Sequence, residues 1–306
     1  MNARVLPVSA VIPTINRIDS LLKTLNSLSF QDHYPFEIII VDGSTSCSKE
    51  QILSNLKFSP IVRIIYQRAI RNGAAHQRMQ GVESSTQPFI WFIDDDIELE
   101  GECLIRIWNG INSDEMVGAT NALITNQKYT SPGLVTKTMY RLMSGQRLDS
   151  HAGKLIGPAW NLLPEERDVD TNYVSCEWLN TTCTLYRKEA LPNPIFSDLF
   201  IGYSLMEDVA LSATVAKKWK LLNACKAKIY HDSQPGDHKS NVAQLAEMEL
   251  LNRHFIMTKI LNRNSCKDFL KLILFEMFQM AGIIWKLKFR TLFQNLIGKW
   301  NALRKI

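Results

Sequence analysis

Two patterns of apolar residues alternate along the first hundred residues of the chain. Short, almost continuous apolar runs are typical of buried strands, and apolar residues that recur every three or four positions are typical of helices. The runs predict strands at 8–12, 36–41, 62–66 and 89–93, and the recurring positions predict a helix at 18–28. A weaker helix is predicted at 49–56, and Asn72-Gly73 indicates the start of another at 74–82. Strands that alternate with helices in this way predict an α/β fold, a mostly parallel, Rossmann-like sheet flanked by helices.

The pattern changes in the second half of the chain. It predicts a helix at 104–111, a strand at 117–124, an extended segment at 173–186, a helix from Glu207 and a last strand at 221–230. Residues 132–170 have the weakest pattern and are interpreted as short helix and loop. From residue 241 onward the chain is predicted to be all helical. This indicates a sheet domain at 1–262 with a C-terminal helical appendage at 263–306.

The composition is that of an ordinary globular protein. Of the 306 residues, 46% are hydrophobic and 21% are charged, and the formal net charge of +5 does not indicate a nucleic-acid partner. Six cysteines occur without a Cys-x-x-Cys pair, which favours reduced thiols over disulfides or a zinc site. We find neither a signal peptide's apolar stretch nor ~18 charge-free apolar residues for a transmembrane helix, so we expect a cytoplasmic protein.

Three consecutive acids, Asp94, Asp95 and Asp96, follow the most apolar of the predicted strands. A strand that is apolar on both faces suits the middle of a covered sheet, and ligands gather at the carboxyl ends of such strands. We expect the three acids to lie on an exposed turn at the rim of a cleft, with little else to neutralise them. Such carboxylates suit Mg²⁺ or Mn²⁺, often together with substrate phosphates. The alternative is a solvated acidic turn.

Polar motifs also follow the other predicted strands, and together with the acids they resemble the inverting family-2 glycosyltransferases of the GT-A fold over residues 5–235. The motifs are Val11-Ile-Pro-Thr14 with Arg17, Val41-Asp-Gly-Ser-Thr45, Arg71-Asn-Gly73 through Arg78, Asp94-Asp-Asp96, and Glu207-Asp208. Each motif alone is weak, but each stands in the family's order at the end of the expected element. The resemblance implies the GT-A fold and transfer of a sugar, with inversion, from a nucleotide-diphosphate donor.

The resemblance also implies which residues bind the donor. They are Pro13, Thr14, Arg17, Asp42, Asn72, Gly73, Arg78, Asp94 and Asp95. Asp42 is expected to accept a hydrogen bond from a base N–H, which favours a UDP-sugar over an adenine nucleotide and leaves GDP as the competitor. Its alternative role is to cap a turn. Arg78 is expected to face the donor, and its alternative is an ordinary surface arginine.

The expected cofactor is Mn²⁺ or Mg²⁺, held by Asp94 and Asp96, which would neutralise the diphosphate as it leaves. His231 stands at the carboxyl end of the last predicted strand. It resembles a histidine that completes the metal's coordination in some relatives, and neutral imidazole is a suitable ligand. The alternative is a loop histidine bonded to the backbone.

Asp208 is the candidate general base, because inverting transfer needs a carboxylate that removes the proton of the attacking hydroxyl. It stands with Glu207 where a helix is predicted to begin, and both acids are equally suited to capping that helix. By resemblance, Trp178 and Glu207 contact the acceptor. In residues 180–182 the chain has Asn-Thr-Thr where relatives often have glycines, which changes the expected shape of the acceptor pocket.

The last predicted helix keeps Phe289, Phe293, Leu296 and Trp300 on one face, and it follows an apolar segment at 269–287 that is flanked by lysines. An aromatic face bordered by Lys and Arg is typical of a helix that lies on an anionic membrane surface. The alternatives are packing on the protein's own domain or on a dimer partner.

The sequence therefore predicts a metal-dependent glycosyltransferase, peripherally attached to the inner face of a membrane, that acts on a glycan or lipid-linked acceptor. Two other classes stay open. A sugar nucleotidyltransferase shares the sheet and the acidic site, but residues 13–17 lack the glycine of its phosphate loop. A non-catalytic partner subunit would bind sugar nucleotides without turnover, and the intact acids at 94, 96 and 208 argue against it.

Overall fold

The structure is a computed structural model that describes residues 4–46, 49–55, 58, 61–127, 129–165, 172–200, 202–233 and 241–306. Within these ranges the strands are β1 (Arg4–Thr14), β2 (His33–Asp42), β3 (Arg63–Arg68), β4 (Phe89–Ile93), β5 (Ile97–Leu99), β6 (Val117–Ile124), β7 (Leu155–Ile156), β8 (Trp160–Asn161), β9 (Tyr173–Cys176), β10 (Cys183–Arg187) and β11 (Lys220–His231). The α-helices are α1 (Ile18–Ser29), α2 (Lys49–Asn55), α3 (Ala74–Glu83), α4 (Cys103–Ile111), α5 (Leu134–Ser144), α6 (Glu207–Val215), α7 (Val242–Phe255), α8 (Cys266–Trp285) and α9 (Phe289–Leu303).

Nine of the described strands form one sheet in the order β3-β2-β1-β4-β10-β6-β11-β5, with β9 also paired to β11. The pairs β1–β2, β2–β3, β1–β4 and β6–β11 are parallel. By contrast, β10 runs antiparallel to both β4 and β6, and β5 and β9 run antiparallel to β11. The predicted α/β class is confirmed, and the sheet is parallel along its first half and mixed beyond β4.

Strand β4 lies inside the sheet between β1 and β10, as its composition predicts. Trp91 and Ile93 pack into the core on the side of α1 and α4, whereas Ile90 and Phe92 pack on the other side with α3 and α6. Side chains alternate between the two faces of a strand, so a strand covered by helices on both sides needs apolar residues at every position. The acidic turn after β4 is therefore anchored at the centre of the fold.

The extended segment predicted at 173–186 consists of two strands. It forms β9 at one edge of the sheet and β10 between β4 and β6, with residues 177–182 crossing from one to the other. The two strands pair with different partners, so apolar content alone did not separate them. The described cysteines form no disulfide with one another. Cys47, Leu56 and the turn predicted at Pro235-Gly236 lie outside the described residues.

The described chain from residue 241 onward is helical, as predicted. Helices α7 and α9 approach so closely at Gly298 that a Cβ there would lie 2.1 Å from the carbonyl oxygen of Ala243. Glycine, which has no Cβ, permits this contact. Lys299 of α9 is buried and pairs with Glu249 of α7 at 3.2 Å and Glu276 of α8 at 3.0 Å. The helices on either side of the predicted boundary at residue 262 are thus held together.

Helix α9 turns its small residues and Lys299 inward and its aromatic residues outward. Gly298, Lys299 and Ala302 are buried, whereas Phe289, Phe293 and Trp300 are 62%, 67% and 61% exposed. Helix α9 thus packs on the protein's own domain, as one alternative held, but through its small residues and not through its aromatic face. In the part of the chain that the structure describes, none of the helices combines the length and apolar character needed to cross a lipid bilayer.

Candidate active site

A cavity of about 480 Å³ opens at the carboxyl ends of β1, β4 and β11, beside the first turns of α3 and α6. Most of the residues that the sequence singled out line it. They are Pro13, Thr14, Arg17, Asn72, Gly73, Arg78, Asp94, Asp95, Asp96, Glu207, Asp208 and His231. Asp42 and Trp178 do not line it. The parallel strands bring these residues together because their carboxyl ends meet at one edge of the sheet.

Two of the three acids on the turn are buried and Asp94 is partly buried, so the predicted exposed turn is wrong. Asp95 and Asp96 are 1% and 7% exposed. Asp95 accepts a hydrogen bond from Thr14 Oγ1 at 2.6 Å and pairs with Arg17 Nη2 at 2.8 Å, while Arg17 Nη1 lies 3.0 Å from Asp96 Oδ2. Burial raises the pKa of Asp95 to about 7, against the lowering effect of Arg17 and Thr14. The expectation that little else neutralises the acids is wrong as well.

Asp94, Asp96 and His231 form a candidate metal site. One carboxylate oxygen of each acid and one ring nitrogen of His231 lie within 4.8 Å of one another. His231 Nε2 is 3.1 Å from Asp96 Oδ1, so the ring faces the acids. Two carboxylates and an imidazole suit Mn²⁺, and oxygen ligands also suit Mg²⁺. The residues present therefore fit the divalent ion that the sequence predicts.

The turn after β6 orients His231, which the sequence did not reveal. Asn126 Nδ2 donates to the carbonyl oxygen of His231 at 2.8 Å, and Asn126 Oδ1 accepts the N–H of His231 at 3.1 Å. Gln127 Nε2 lies 3.1 Å from Nδ1 of the His231 ring. A ligating histidine carries its proton on the other ring nitrogen, where a carbonyl-type oxygen usually accepts it. The amide of Gln127 has such an oxygen and reaches it by rotation about its last bond. Gln127 is thus placed to fix the tautomer of His231.

Arg78 is buried between two acids, so the alternative of a surface arginine is wrong. It is 3% exposed, its Nη2 lies 2.5 Å from Asp94 Oδ1, and its Nη1 bonds Glu207. Burial raises the pKa of Glu207 to about 7, against the lowering effect of Arg78. One guanidinium therefore links the acidic turn after β4 to the start of α6.

Asp208 is the second residue of α6 and lines the cavity half-buried. Its Oδ1 accepts the N–H of Val209 at 2.8 Å, so part of the carboxylate does bind the helix N-terminus. Burial raises the pKa of Asp208 to about 6, against the lowering effects of Val209 N–H and Arg78. A general base works best when its pKa lies near the working pH, so this environment suits proton abstraction.

Asp42 borders the cavity without lining it. Its Oδ1 accepts the N–H of Ser44 at 2.8 Å, as in the turn-capping alternative, and its Oδ2 accepts from Tyr66 at 2.6 Å and Arg68 at 3.4 Å. The next residue, Gly43, lies so close to Asn72 that a Cβ would be 2.6 Å from its Oδ1. The end of β2 thus adjoins the cavity wall, with the Asp42 carboxylate directed into the protein.

Trp178 lies in the core rather than in the cavity. It is buried, and its Nε1 donates to the carbonyl oxygen of Leu162 at 2.7 Å. The aromatic residue that lines the cavity is Tyr203, which is exposed and which the sequence analysis missed. Its position five residues before Asp208, in a segment with no helix or strand pattern, was the available signal.

Two further residues shape the cavity. Gln77 is buried and donates to the carbonyl oxygens of Thr14 at 2.9 Å and Val41 at 2.8 Å, which ties the ends of β1 and β2 together. Gly73 has a φ of 128° and pairs with Gly202, where a Cβ would lie 3.1 Å from the Gly202 carbonyl oxygen. Both the dihedral angle and the close approach require glycine at this position.

The mixed sheet, the acidic turn after β4 and the Glu-Asp pair at the start of α6 define a glycosyltransferase of the GT-A fold. The chain belongs to the family described as "Glycosyl transferase family 2", whose profile matches residues 9–192. The predicted family and fold are both confirmed.

Solved structures share the fold at low sequence identity. GalNAc-T7, crystallised with UDP, GalNAc and Mn²⁺, superposes with a TM-score of 0.55 and 15% identity over 90% of this chain and 57% of its own. The mannosyltransferase PcManGT from Pyrobaculum calidifontis, in complex with GDP-Man and Mn²⁺, has a TM-score of 0.53 and 13% identity over 99% and 78%. At such identities the likeness concerns the fold alone.

Curated relatives match a shorter stretch. A GalNAc(5)-diNAcBac-PP-undecaprenol beta-1,3-glucosyltransferase of Campylobacter jejuni is 27% identical over 120 residues, 39% of this chain and 39% of that protein. The amylovoran biosynthesis glycosyltransferase AmsB of Erwinia amylovora is 29% identical over 93 residues, 29% of this chain and 31% of its own. The matched regions thus span less than two fifths of either relative.

Proposed function

We propose that this protein transfers a sugar from a nucleotide-diphosphate donor to a hydroxyl of a lipid-linked glycan, with inversion at the anomeric carbon. The observation that carries the proposal is the shared lining of one cavity. The cluster of Asp94, Asp96 and His231, which fits a metal, and the carboxylate of Asp208 both face that cavity. A leaving-group site and a base on opposite sides of a bound sugar are what single-displacement transfer needs.

In the proposed reaction, Asp208 takes the proton of the acceptor hydroxyl. At the same time, the oxygen of that hydroxyl bonds to the anomeric carbon of the donor sugar. The bond from that carbon to the diphosphate oxygen breaks on the opposite side, which inverts the anomeric centre. A divalent ion held by Asp94, Asp96 and His231 would supply positive charge for the departing nucleoside diphosphate. Arg78 holds Asp94 in place, and Arg17 holds Asp96.

The nucleotidyltransferase alternative gains no support from the loop after β1. Such an enzyme needs a flexible, glycine-containing loop whose basic residue contacts a triphosphate. Residues 13–17 contain no glycine, and Arg17 is engaged by Asp95 at 2.8 Å and Asp96 at 3.0 Å. A partner subunit without activity would have no need for a carboxylate like Asp208, whose pKa of about 6 suits a base.

The test of the proposed function is a donor screen. We expect Mn²⁺-dependent hydrolysis of one or more nucleotide-diphosphate sugars in the absence of acceptor, and faster turnover when diphosphate-linked glycans are added. Among free diphosphates, we expect UDP, TDP or GDP to compete better than ADP if the Asp42 carboxylate turns from Tyr66 and Arg68 to accept a base N–H, because uracil, thymine and guanine have a ring N–H and adenine has none. No hydrolysis or transfer with any nucleotide sugar would refute the function, and ADP as the best competitor would refute the role of Asp42.

Asp96→Asn is expected to weaken Mn²⁺-dependent binding of the nucleoside diphosphate by about 10–100-fold or more. Loss of a residue that only supports a metal ligand already weakens metal binding by about 10–100-fold. The asparagine keeps the size of a side chain that is 7% exposed, so the fold should survive. Calorimetric titration with the preferred diphosphate, with and without Mn²⁺, measures the effect. Glu98→Gln, at an exposed position of β5, is the matched control and should bind normally. Equal affinities of Asp96→Asn and wild type would exclude Asp96 as a ligand.

We also propose that the appendage binds the anionic lipids of the cytoplasmic leaflet. Residues 263–306 hold nine Lys and Arg against two Asp and Glu, a formal charge of +7, which leaves −2 for the rest of the chain. The exposed side chains of α8 and α9 include Met277, Trp285, Phe289, Phe293 and Trp300. A basic helical surface with exposed aromatic residues matches the chemistry of a negatively charged membrane surface.

Replacing Phe289, Phe293 and Trp300 by Ser is expected to weaken binding to vesicles that contain anionic lipid by at least about tenfold, since burial of one such side chain contributes about 1.5–3 kcal/mol. The melting temperature should change little, because all three are more than half exposed. Sedimentation with vesicles measures the partition. Phe30→Ser, at a 71% exposed position at the end of α1, is the control. A destabilised variant that still sediments would instead assign the face to a protein interface.

A further inference from the structure

A second cleft, of about 410 Å³, lies beside the catalytic cavity. Tyr203 and Leu205 line both, so the two spaces share a wall in the segment just before α6. The far side of the cleft is built by α7, through Val242 and Leu245, and by Asn295 of α9. The second cleft therefore lies between this shared wall, close to Asp208, and the C-terminal helices.

The lining of this cleft suits sugar rings. Tyr203, Leu205, Val242 and Leu245 provide an aromatic ring and apolar surface for the C–H faces of a sugar. Asn295 offers an amide that both donates and accepts hydrogen bonds to hydroxyl groups. A mostly apolar cleft with a few polar groups is the usual build of a small-molecule site, and the volume lies within the usual range of about 300–1,000 Å³.

Helix α9 contributes to the cleft and to the exposed aromatic surface with different faces. Successive residues are about 100° apart around a helix, so Asn295, Gly298, Lys299 and Ala302 share one face. Gly298, Lys299 and Ala302 of that face are buried against the rest of the protein. The aromatic residues occupy the opposite face. One helix thus presents one face to the cleft and the other to the surface proposed to contact the membrane.

We propose that this cleft binds the sugars of the acceptor that lie between the reacting hydroxyl and the lipid anchor. The reacting hydroxyl would reach Asp208, the following sugars would lie between Tyr203 and Asn295, and the diphosphate and lipid would continue toward the membrane face of α9. The inference rests on the proposed function and names the substrate of the same site: an oligosaccharide on a lipid diphosphate, in preference to a single sugar.

The test compares acceptors of different length in two variants. The probes are a single sugar and an oligosaccharide, each synthesised on a polyprenyl diphosphate, and the same oligosaccharide without a lipid. Leu245→Glu and Asn295→Ala should lower the ratio of kcat/KM for the long over the short lipid-linked acceptor by at least about tenfold, equal to about 1.4 kcal/mol. Both positions are only partly buried, so both variants should fold. Leu134→Glu, at an 81% exposed position of α5 outside the cleft, should keep the ratio of the wild type.

The outcomes separate the two proposals. Transfer by the wild type with an unchanged length preference in both cleft variants would overturn the cleft assignment and leave the glycosyltransferase function intact. No transfer by the wild type to any acceptor, with no hydrolysis of any donor, would overturn the function itself. Equal use of the free and the lipid-linked oligosaccharide in the presence of anionic vesicles would overturn the lipid part of the proposal.

Discussion

Replacing Asp208 by Asn is expected to lower kcat by about 10²–10⁴-fold, the usual contribution of a general base, with little change in donor affinity. The asparagine cannot take the proton of the acceptor hydroxyl, so the loss falls on the transition state. Its amide oxygen can still accept the N–H of Val209, which Asp208 binds at 2.8 Å, so the start of α6 should persist. Initial rates at saturating acceptor and calorimetry with the nucleoside diphosphate measure the two quantities separately.

The matched control for this variant is Glu50→Gln. Glu50 occupies the second position of α2, as Asp208 does in α6, but it is exposed and does not line the cavity. Loss of a negative charge from the first turn of a helix costs about 0.3–1 kcal/mol, and that cost is common to both variants. If Asp208→Asn turns over within a few-fold of the control, the helix-capping role is sufficient, and Glu207 becomes the next candidate for the base.

Replacing Arg78 by Met is expected to lower the free energy of unfolding by about 3–5 kcal/mol, the range for breaking a buried ion pair on one side. The guanidinium lies between Asp94 and Glu207, and its loss leaves two carboxylates that are largely shielded from water without a counter-charge. Methionine fills much of the same volume, so the effect reports on charge more than on packing. Unfolding in urea, followed by circular dichroism, gives the free energy.

Arg106→Met provides the comparison for Arg78→Met. Arg106 also pairs with a carboxylate, that of Glu102 one turn earlier in the chain, but both side chains are exposed. Exposed pairs contribute about 0–1 kcal/mol because water and salt screen them. An Arg78 variant that is no less stable than the Arg106 variant would show that the buried triad contributes little to the fold. Donor binding by the folded Arg78 variant then reports its role in positioning Asp94.

The order of elements in the first hundred residues follows from the sequence alone. Each strand is an apolar run, α1 has a repeating apolar face, and Asn72-Gly73 marks the start of α3. All these signals depend on neighbours within one or two turns of chain. The predicted β6 and the start of α3 agree with the structure to the residue. Because parallel strands end at one edge, the sequence also brings Asp94 and Asp96 to the same cavity as His231, which ends a strand more than a hundred residues away.

The interior of the site depends on contacts that no local pattern contains. Arg78 meets Glu207 across 129 positions, and His231 meets Asp96 across 135. Whether an arginine lies on the surface or between two acids depends on which side chains the folded sheet places opposite it. The burial of the acidic turn has the same origin, because Arg17 and Thr14 reach it from β1 and the loop that follows.

The aromatic residues also show which features follow from the sequence and which depend on contacts between distant residues. The sequence determined that α9 has an aromatic face, because helical spacing alone places Phe289, Phe293 and Trp300 together. Only the tertiary structure decided that this face points outward, since Gly298 lets α9 approach α7 with its opposite side. Likewise, Trp178 and Tyr203 are both aromatic residues beside predicted site motifs, yet only Tyr203 reaches the cavity. Spacing along the chain fixes which side chains share a face, whereas the packing of distant elements fixes whether that face meets the core, the substrate or the solvent.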